Sequence, residues 1–220
     1  MANTSLGTPY VTSSDYVTNY PTTSLALANA IDAFGGVRVY TNEAARNAAI
    51  TSPFEGMVAY LTSPTTPAAT GQGTFIPSGV TTVYNGSVWV CTTEVGCYND
   101  SNGTTTSTAF TGTLGGSPGT NLSVTIVTGT TAMVTVTGAL ANSIAGQGAH
   151  MSVAVSGATT LAASVTNSLY TSGAEYIQAS TSIIYSGLTP GTNTFTANYR
   201  VGGSGTATIG YRRMWVKGIA

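Results

Sequence analysis

In the second half of the chain, apolar and polar positions alternate with a period of two, the signature of strands with one buried face. Leu122, Val124 and Ile126 alternate, and a second run follows from Met133 or Val134 after a turn at Gly129. Met151–Val155 reads as a strand that ends at Ser156-Gly157, and Ile183-Ile184-Tyr185 as another before the turn Leu188-Thr189-Pro190-Gly191. Phe195, Ala197, Tyr199 and Val201 share one parity, while Thr194, Thr196, Asn198 and Arg200 share the other. Gly202-Gly203-Ser204-Gly205 turns the chain into a last strand through Tyr211–Val216. About eight strands with glycine turns predict a sandwich or jelly roll over residues 121–220.

The first half reads differently. Residues 1–20 carry Pro9, Pro21 just beyond and scattered Thr and Ser, which oppose helix and predict an extended arm. Tyr10, Tyr16 and Tyr20 make that arm adhesive, with apolar rings and polar tips, and mark it as an anchoring element. Within 21–36 a helix is expected from residue 22 to 34, capped by Thr22, Thr23 or Ser24 and ended by Gly35-Gly36. Leu27, Ile31 and Phe34 fall on one face of it, suited to an oligomerisation seam or to packing on the chain's own body. Residues 37–97 alternate short elements and predict a small α+β module. It holds a strand at Val37–Tyr40, a helix capped by Thr41 or Asn42 and running to about Ile50, and a strand at Met57–Leu61. A hairpin follows at Val83-Tyr84/Val88-Trp89-Val90, whose Asn85-Gly86 suits a type I′ turn. Residues 62–82 read as a Pro/Thr/Gly loop. The polar, glycine-rich stretch 98–120 reads as a linker. The expected fold is therefore mainly β, a small N-terminal α+β module followed by a C-terminal antiparallel, jelly-roll-like β-sandwich.

Composition narrows the functions. The 220 residues include only 6 Lys+Arg, 7 Asp+Glu and 1 His, where an ordinary domain has roughly a quarter of its residues charged. A net charge of −1 offers no basic stripe for nucleic acid. No apolar run reaches the roughly 18 residues of a membrane span. The first residues lack the basic and apolar regions of a secretory leader, so synthesis in a cytoplasm is expected. Cys91 and Cys97 are left open between free thiols and a loop disulfide. No metal or cofactor site is expected.

Catalytic signatures are also missing from the pattern. Glycoside hydrolysis needs two acids, and Glu175 is the one acid in 121–220. His150 has no Ser-Asp context and reads as a satisfied or surface histidine. Four of the six basic residues, Arg200, Arg212, Arg213 and Lys217, lie in the last 21 positions. Arg200, Arg212 and Arg213 are read as outward strand residues that keep an edge soluble, or as contacts to a second subunit or an anionic partner. Tyr170, Tyr176 and Tyr211 are candidates for stacking on sugars, and equally for core packing.

The run Val37-Arg38-Val39-Tyr40, Glu43-Ala44-Ala45-Arg46, Pro53-Phe54-Glu55-Gly56-Met57-Val58-Ala59-Tyr60 and Tyr84-Asn85-Gly86-Ser87-Val88-Trp89 resembles a module of tailed-bacteriophage virion proteins. The end of the chain, Leu188-x-Pro190-Gly191, Thr194-Phe195, Tyr199-Arg200-Val201 and Tyr211-Arg212-Arg213, is similar to the β-domain of phage head fibres, decoration proteins and minor tail proteins. The loop at 62–82 and the two cysteines depart from that pattern. The resemblance implies a non-enzymatic virion surface protein, a homotrimer or other symmetric oligomer, anchored on capsid or tail proteins by its N-terminal region. A head fibre or capsid decoration protein is expected first. A tail-tip protein that binds a host cell-surface receptor or glycan is the alternative.

Overall fold

The computed structural model describes residues 37–220, together with the backbone of 2–3 and 9–10. The chain divides into units 1–38 and 39–220. In the first, β1 (Ala2–Asn3) pairs antiparallel with β2 (Pro9–Tyr10). Tyr10 is therefore placed in a strand. Tyr16, Tyr20 and the expected helix with Leu27, Ile31 and Phe34 lie outside the described residues.

Next come β3 (Arg38–Tyr40), α1 (Glu43–Ala49), β4 (Val58–Leu61), β5 (Ala68–Thr70), β6 (Gly73–Phe75), β7 (Val80–Tyr84) and β8 (Trp89–Cys91). The Asn42 side chain accepts from the Ala45 N–H at 3.0 Å and starts α1 as an N-cap should. Strands β3, β4, β7 and β8 form a four-stranded sheet in that order. Ile50, Met57, Ala59 and Trp89 make its small core. Arg46 is buried there, its Cζ 4.6 Å from the centre of the Trp89 ring and its Nη1 donating to Thr82 Oγ1 at 3.2 Å. Glu43 accepts the backbone N–H groups of Thr65 and Thr66. Burial works to raise its carboxyl pKa, but these bonds outweigh it and hold it below the usual range. The hairpin differs from the expected I′ turn. Asn85 keeps a negative φ, Gly86 has φ +86°, and Asn85 Oδ1 accepts from the N–H groups of Ser87 and Val88.

The rest of the chain supplies β9 (Val95–Asn99), β10 (Gly103–Thr105), β11 (Gly115–Gly116), β12 (Ser123–Thr128), β13 (Thr131–Asn142), β14 (Ala149–Gly157), β15 (Ser168–Thr171), β16 (Ile177–Ser186), β17 (Gly191–Val201) and β18 (Ala207–Ile219). One sheet runs β15-β14-β17-β12-β5. The other runs β11-β10-β18-β13-β16, with β9 also on β18 and β6 on β9. All pairings are antiparallel. The two sheets share one core, to which β12 gives Val124 and Ile126, β17 gives Phe195, Ala197 and Tyr199, and β18 gives Met214 and Val216. Tyr185 of β16 meets Phe195 edge to face at 6.0 Å across it. The mainly β, sandwich-like architecture agrees with the expected fold class.

Two boundaries are corrected. Residues 98–120 are not a spacer: β10 pairs with β18, and Thr111 bridges Tyr199. Residues 62–82 are not all loop, since β5 extends the five-stranded sheet and β6 caps β9. Three-residue strands are set by the ladder they join, so their own composition announces little. Most sheet edges are short strands, but β16 leaves ten residues on an open edge with no charged side chain.

Candidate functional site

The outward face of the five-stranded sheet carries the even-numbered residues of β14, β15 and β17. Register places His150 opposite Tyr170 on one side and opposite Arg200 on the other. The bridge between Thr111 and Tyr199 then sets Phe110 beside Arg200. The result is a row, Tyr170–His150–Arg200–Phe110, that crosses the strands. His150 and Tyr170 rings lie 4.7 Å apart, Phe110 and His150 6.3 Å, and the Arg200 guanidinium carbon is 5.6 Å from the Phe110 ring. Tyr170 is 53% exposed, Phe110 and Arg200 are partly exposed, and His150 is buried beneath them.

The row is held in place by its neighbours. His150 Nδ1 is 3.0 Å from Ser168 Oγ, and Arg200 Nε donates to Val201 O at 2.9 Å. Burial, and secondly the nearby Arg200 charge, lowers the His150 pKa, so the ring is neutral at pH 7. Asn198, Thr196 and Thr194 continue the same face along β17 with amide and hydroxyl groups. At the Phe110 end an open cavity of about 560 Å³ is lined by Thr104, Thr106, Ser107, Thr111 and Thr113 with Leu114. Planar rings, a fixed cation and many hydroxyls make a surface that can stack on and hydrogen-bond a polyhydroxylated ligand.

The arginines expected at the surface part company. Arg200 is in the row. Arg213 lies on the seven-stranded sheet, its Nη1 2.9 Å from Asp100 Oδ1 and its Cζ 5.7 Å from the Tyr98 ring. Arg212 is corrected outright: it is 1% exposed, inside the sandwich. Its Nη1 donates to Tyr199 Oη at 3.2 Å and its Nη2 to the carbonyls of Ser101 and Pro118. Arg212 faces inward in step with Met214 and Val216, and the extra residue that β18 carries opposite Thr137–Ala139, with Tyr211 at φ +48°, lets Ile209 face the core as well. The shared parity of Arg212, Met214 and Val216 was the available sign. Near it, Tyr176 and Tyr211 form a second exposed ring pair at 6.3 Å, with Tyr176 Oη donating to Asn102. Cys91 and Cys97 are free and buried, and burial pushes both thiols up to about 11. The sequence reading picked out Tyr170 and Arg200 separately, but missed Phe110 and the role of His150.

No family model matches the chain, and no curated protein does. Among solved structures it is similar to TmCBM61 in complex with β-1,4-galactotriose, with 12% identity, 55% of this chain and 68% of that one covered, and a TM-score of 0.27. It is also similar to the CBM22-1 xylan-binding domain of Paenibacillus barcinonensis Xyn10C, with 10% identity, coverage of 56% and 87%, and a TM-score of 0.28. A cyclase from Fischerella sp. TAU stands at 12% identity, coverage of 55% and 76%, and a TM-score of 0.27. Scores this low transfer no ligand to the present chain.

Proposed function

We propose that this chain is a non-enzymatic surface module of a bacteriophage virion that binds glycan through the outward face of its five-stranded sheet. The observation that carries the glycan reading is the row Tyr170–His150–Arg200–Phe110, in which the half-exposed Tyr170 ring, the Arg200 guanidinium and the partly exposed Phe110 ring gather over a buried histidine beside hydroxyl-lined surface. Sugar rings present C–H faces that pack on aromatic rings, while their hydroxyls need donors and acceptors at the rim. The virion setting rests on the resemblance of residues 37–89 and 188–213 to phage structural proteins. The test is binding of the whole chain to an array of bacterial cell-surface oligosaccharides. Replacing Tyr170 and Phe110 with Ala should lower affinity by about tenfold or more, the effect of losing ring contacts worth roughly 1.5 kcal/mol. Retained binding in that variant would sink the assignment.

A second reading, a structural subunit that assembles with its own copies on the particle, is favoured by β16. Its ten-residue edge has Ile177 and Ile184 half-exposed and lacks the charges or prolines that usually block strand addition. Light scattering of the purified chain should give a multiple of the 22.2 kDa mass; a single-chain mass at all concentrations would remove this reading.

A further inference from the structure

The charge on the row is not cancelled. Strands β5, β12, β14, β15 and β17 contain no aspartate or glutamate, and Arg200 is their one arginine. Its Nε donates to Val201 O and its guanidinium carbon lies 5.6 Å from the Phe110 ring centre, two interactions that restrain the group. Its terminal Nη1 and Nη2 have no partner among the described residues. Elsewhere such groups are engaged: Arg46 on Thr82 and Asn47, Arg212 on Tyr199, Ser101 and Pro118, Arg213 on Asp100 and Tyr211. A restrained guanidinium with an open Nη1/Nη2 pair is the shape that receives a carboxylate through two parallel N–H···O bonds.

We propose that the row takes an acidic oligosaccharide, whose sugar carboxylate docks on Arg200 beside Phe110 while a neighbouring sugar lies on Tyr170. This rests on the glycan reading of the same row. The Tyr170 and Phe110 ring centres lie no more than about 11 Å apart by way of His150, so the row is short: a carboxylate at Arg200 lies beside the Phe110 ring, with Tyr170 left for a neighbouring sugar. Asn198, Thr196 and Thr194 offer hydrogen bonds to sugar hydroxyls beside it. The absence of any acid on these strands removes the repulsion that a charged glycan would otherwise meet.

The experiment compares trigalacturonate with α-1,4-galactotriose, which differ in the carboxylate, by calorimetry on the full chain, for wild type, Arg200→Gln, Arg200→Lys and Tyr170→Ala. Wild type should bind the acidic trimer about tenfold more tightly, and the preference should shrink with added salt. Arg200→Gln should bring the ratio of the two affinities to about one, and Arg200→Lys, which keeps the charge without the fork, should leave an intermediate ratio. Tyr170→Ala should weaken both sugars. Equal binding of both trimers, unaltered by Arg200→Gln but lost in Tyr170→Ala, would overturn the acidic assignment and leave the glycan reading standing. No binding of either trimer, with the wild type also failing to bind cell-surface glycans, would overturn both. Competition by a triglutamate peptide as effective as trigalacturonate would overturn the sugar and assign a peptide carboxylate instead.

Discussion

The two sheets of the sandwich each carry an arginine among aromatic rings on their outward face, and the two clusters are built to opposite ends. On the seven-stranded sheet Phe75 stacks on Trp215 at 4.6 Å and lies 5.2 Å from Tyr98, while Arg213 sits over Tyr98 and pairs with Asp100. Gly96, opposite Trp215 in the ladder, makes room for the indole: a Cβ there would come within 2.5 Å of it. Rings cover rings and the charge is met, so this face spends its groups on itself. On the five-stranded sheet the rings meet tilted and edge to face over a buried His150, Tyr170 is half-exposed and the Arg200 amino groups are open. The same residue types thus make a folding element in one place and a candidate binding surface in the other. The difference lies in whether each group already has its partner within the chain.

The largest test concerns Arg212, the tie between the sheets, since it stands on β18 and donates to Tyr199 of β17. Arg212→Ala should cost about 3 kcal/mol or more in denaturant unfolding, from the cavity and the abandoned Tyr199 hydroxyl and carbonyls. A loss below about 1 kcal/mol would return this residue to the surface role expected from sequence. Next, Trp215→Ala should destabilise by roughly 3 kcal/mol and Tyr170→Ala by less than about 1 kcal/mol, because Trp215 is covered by the stacked Phe75 ring whereas Tyr170 is half-exposed. Equal losses would erase the contrast between the faces. The smallest effect is in pH. His150 titrates near 6.5 when unfolded, and lower when folded because of burial and Arg200. The unfolded chain therefore binds the extra proton first, and stability falls as pH drops from about 6.5 to the folded value. The unfolding midpoint of His150→Gln should be flatter across that range than that of wild type.

Much of the sandwich was readable because its signal is local. The alternation of residues 194–201 reports directly which side chains face the core, and Phe195, Ala197, Tyr199 and Val201 are all fully buried. The Asn42 cap and the strand at Val58–Leu61 were legible for the same reason. The short strands β5, β6, β10 and β11 were not. They are only two or three residues long, too short to show an alternation, and only a neighbouring ladder makes them strands. Arg212 was misplaced because charge was given more weight than its shared parity with Met214 and Val216.

By itself, then, the sequence determined the β-rich class, the buried faces of the long strands, the neutral surface chemistry and the scarcity of acids. It did so because period-two alternation and composition act through neighbours in the chain. Tertiary structure alone decided that Tyr170, His150, Arg200 and Phe110 form one row. These residues come from four segments spread between positions 110 and 200, and only strand register across the sheet brings them into contact. It also decided which arginine is buried, which is paired and which stays open, because a guanidinium's fate depends on the acceptors that folding brings to it.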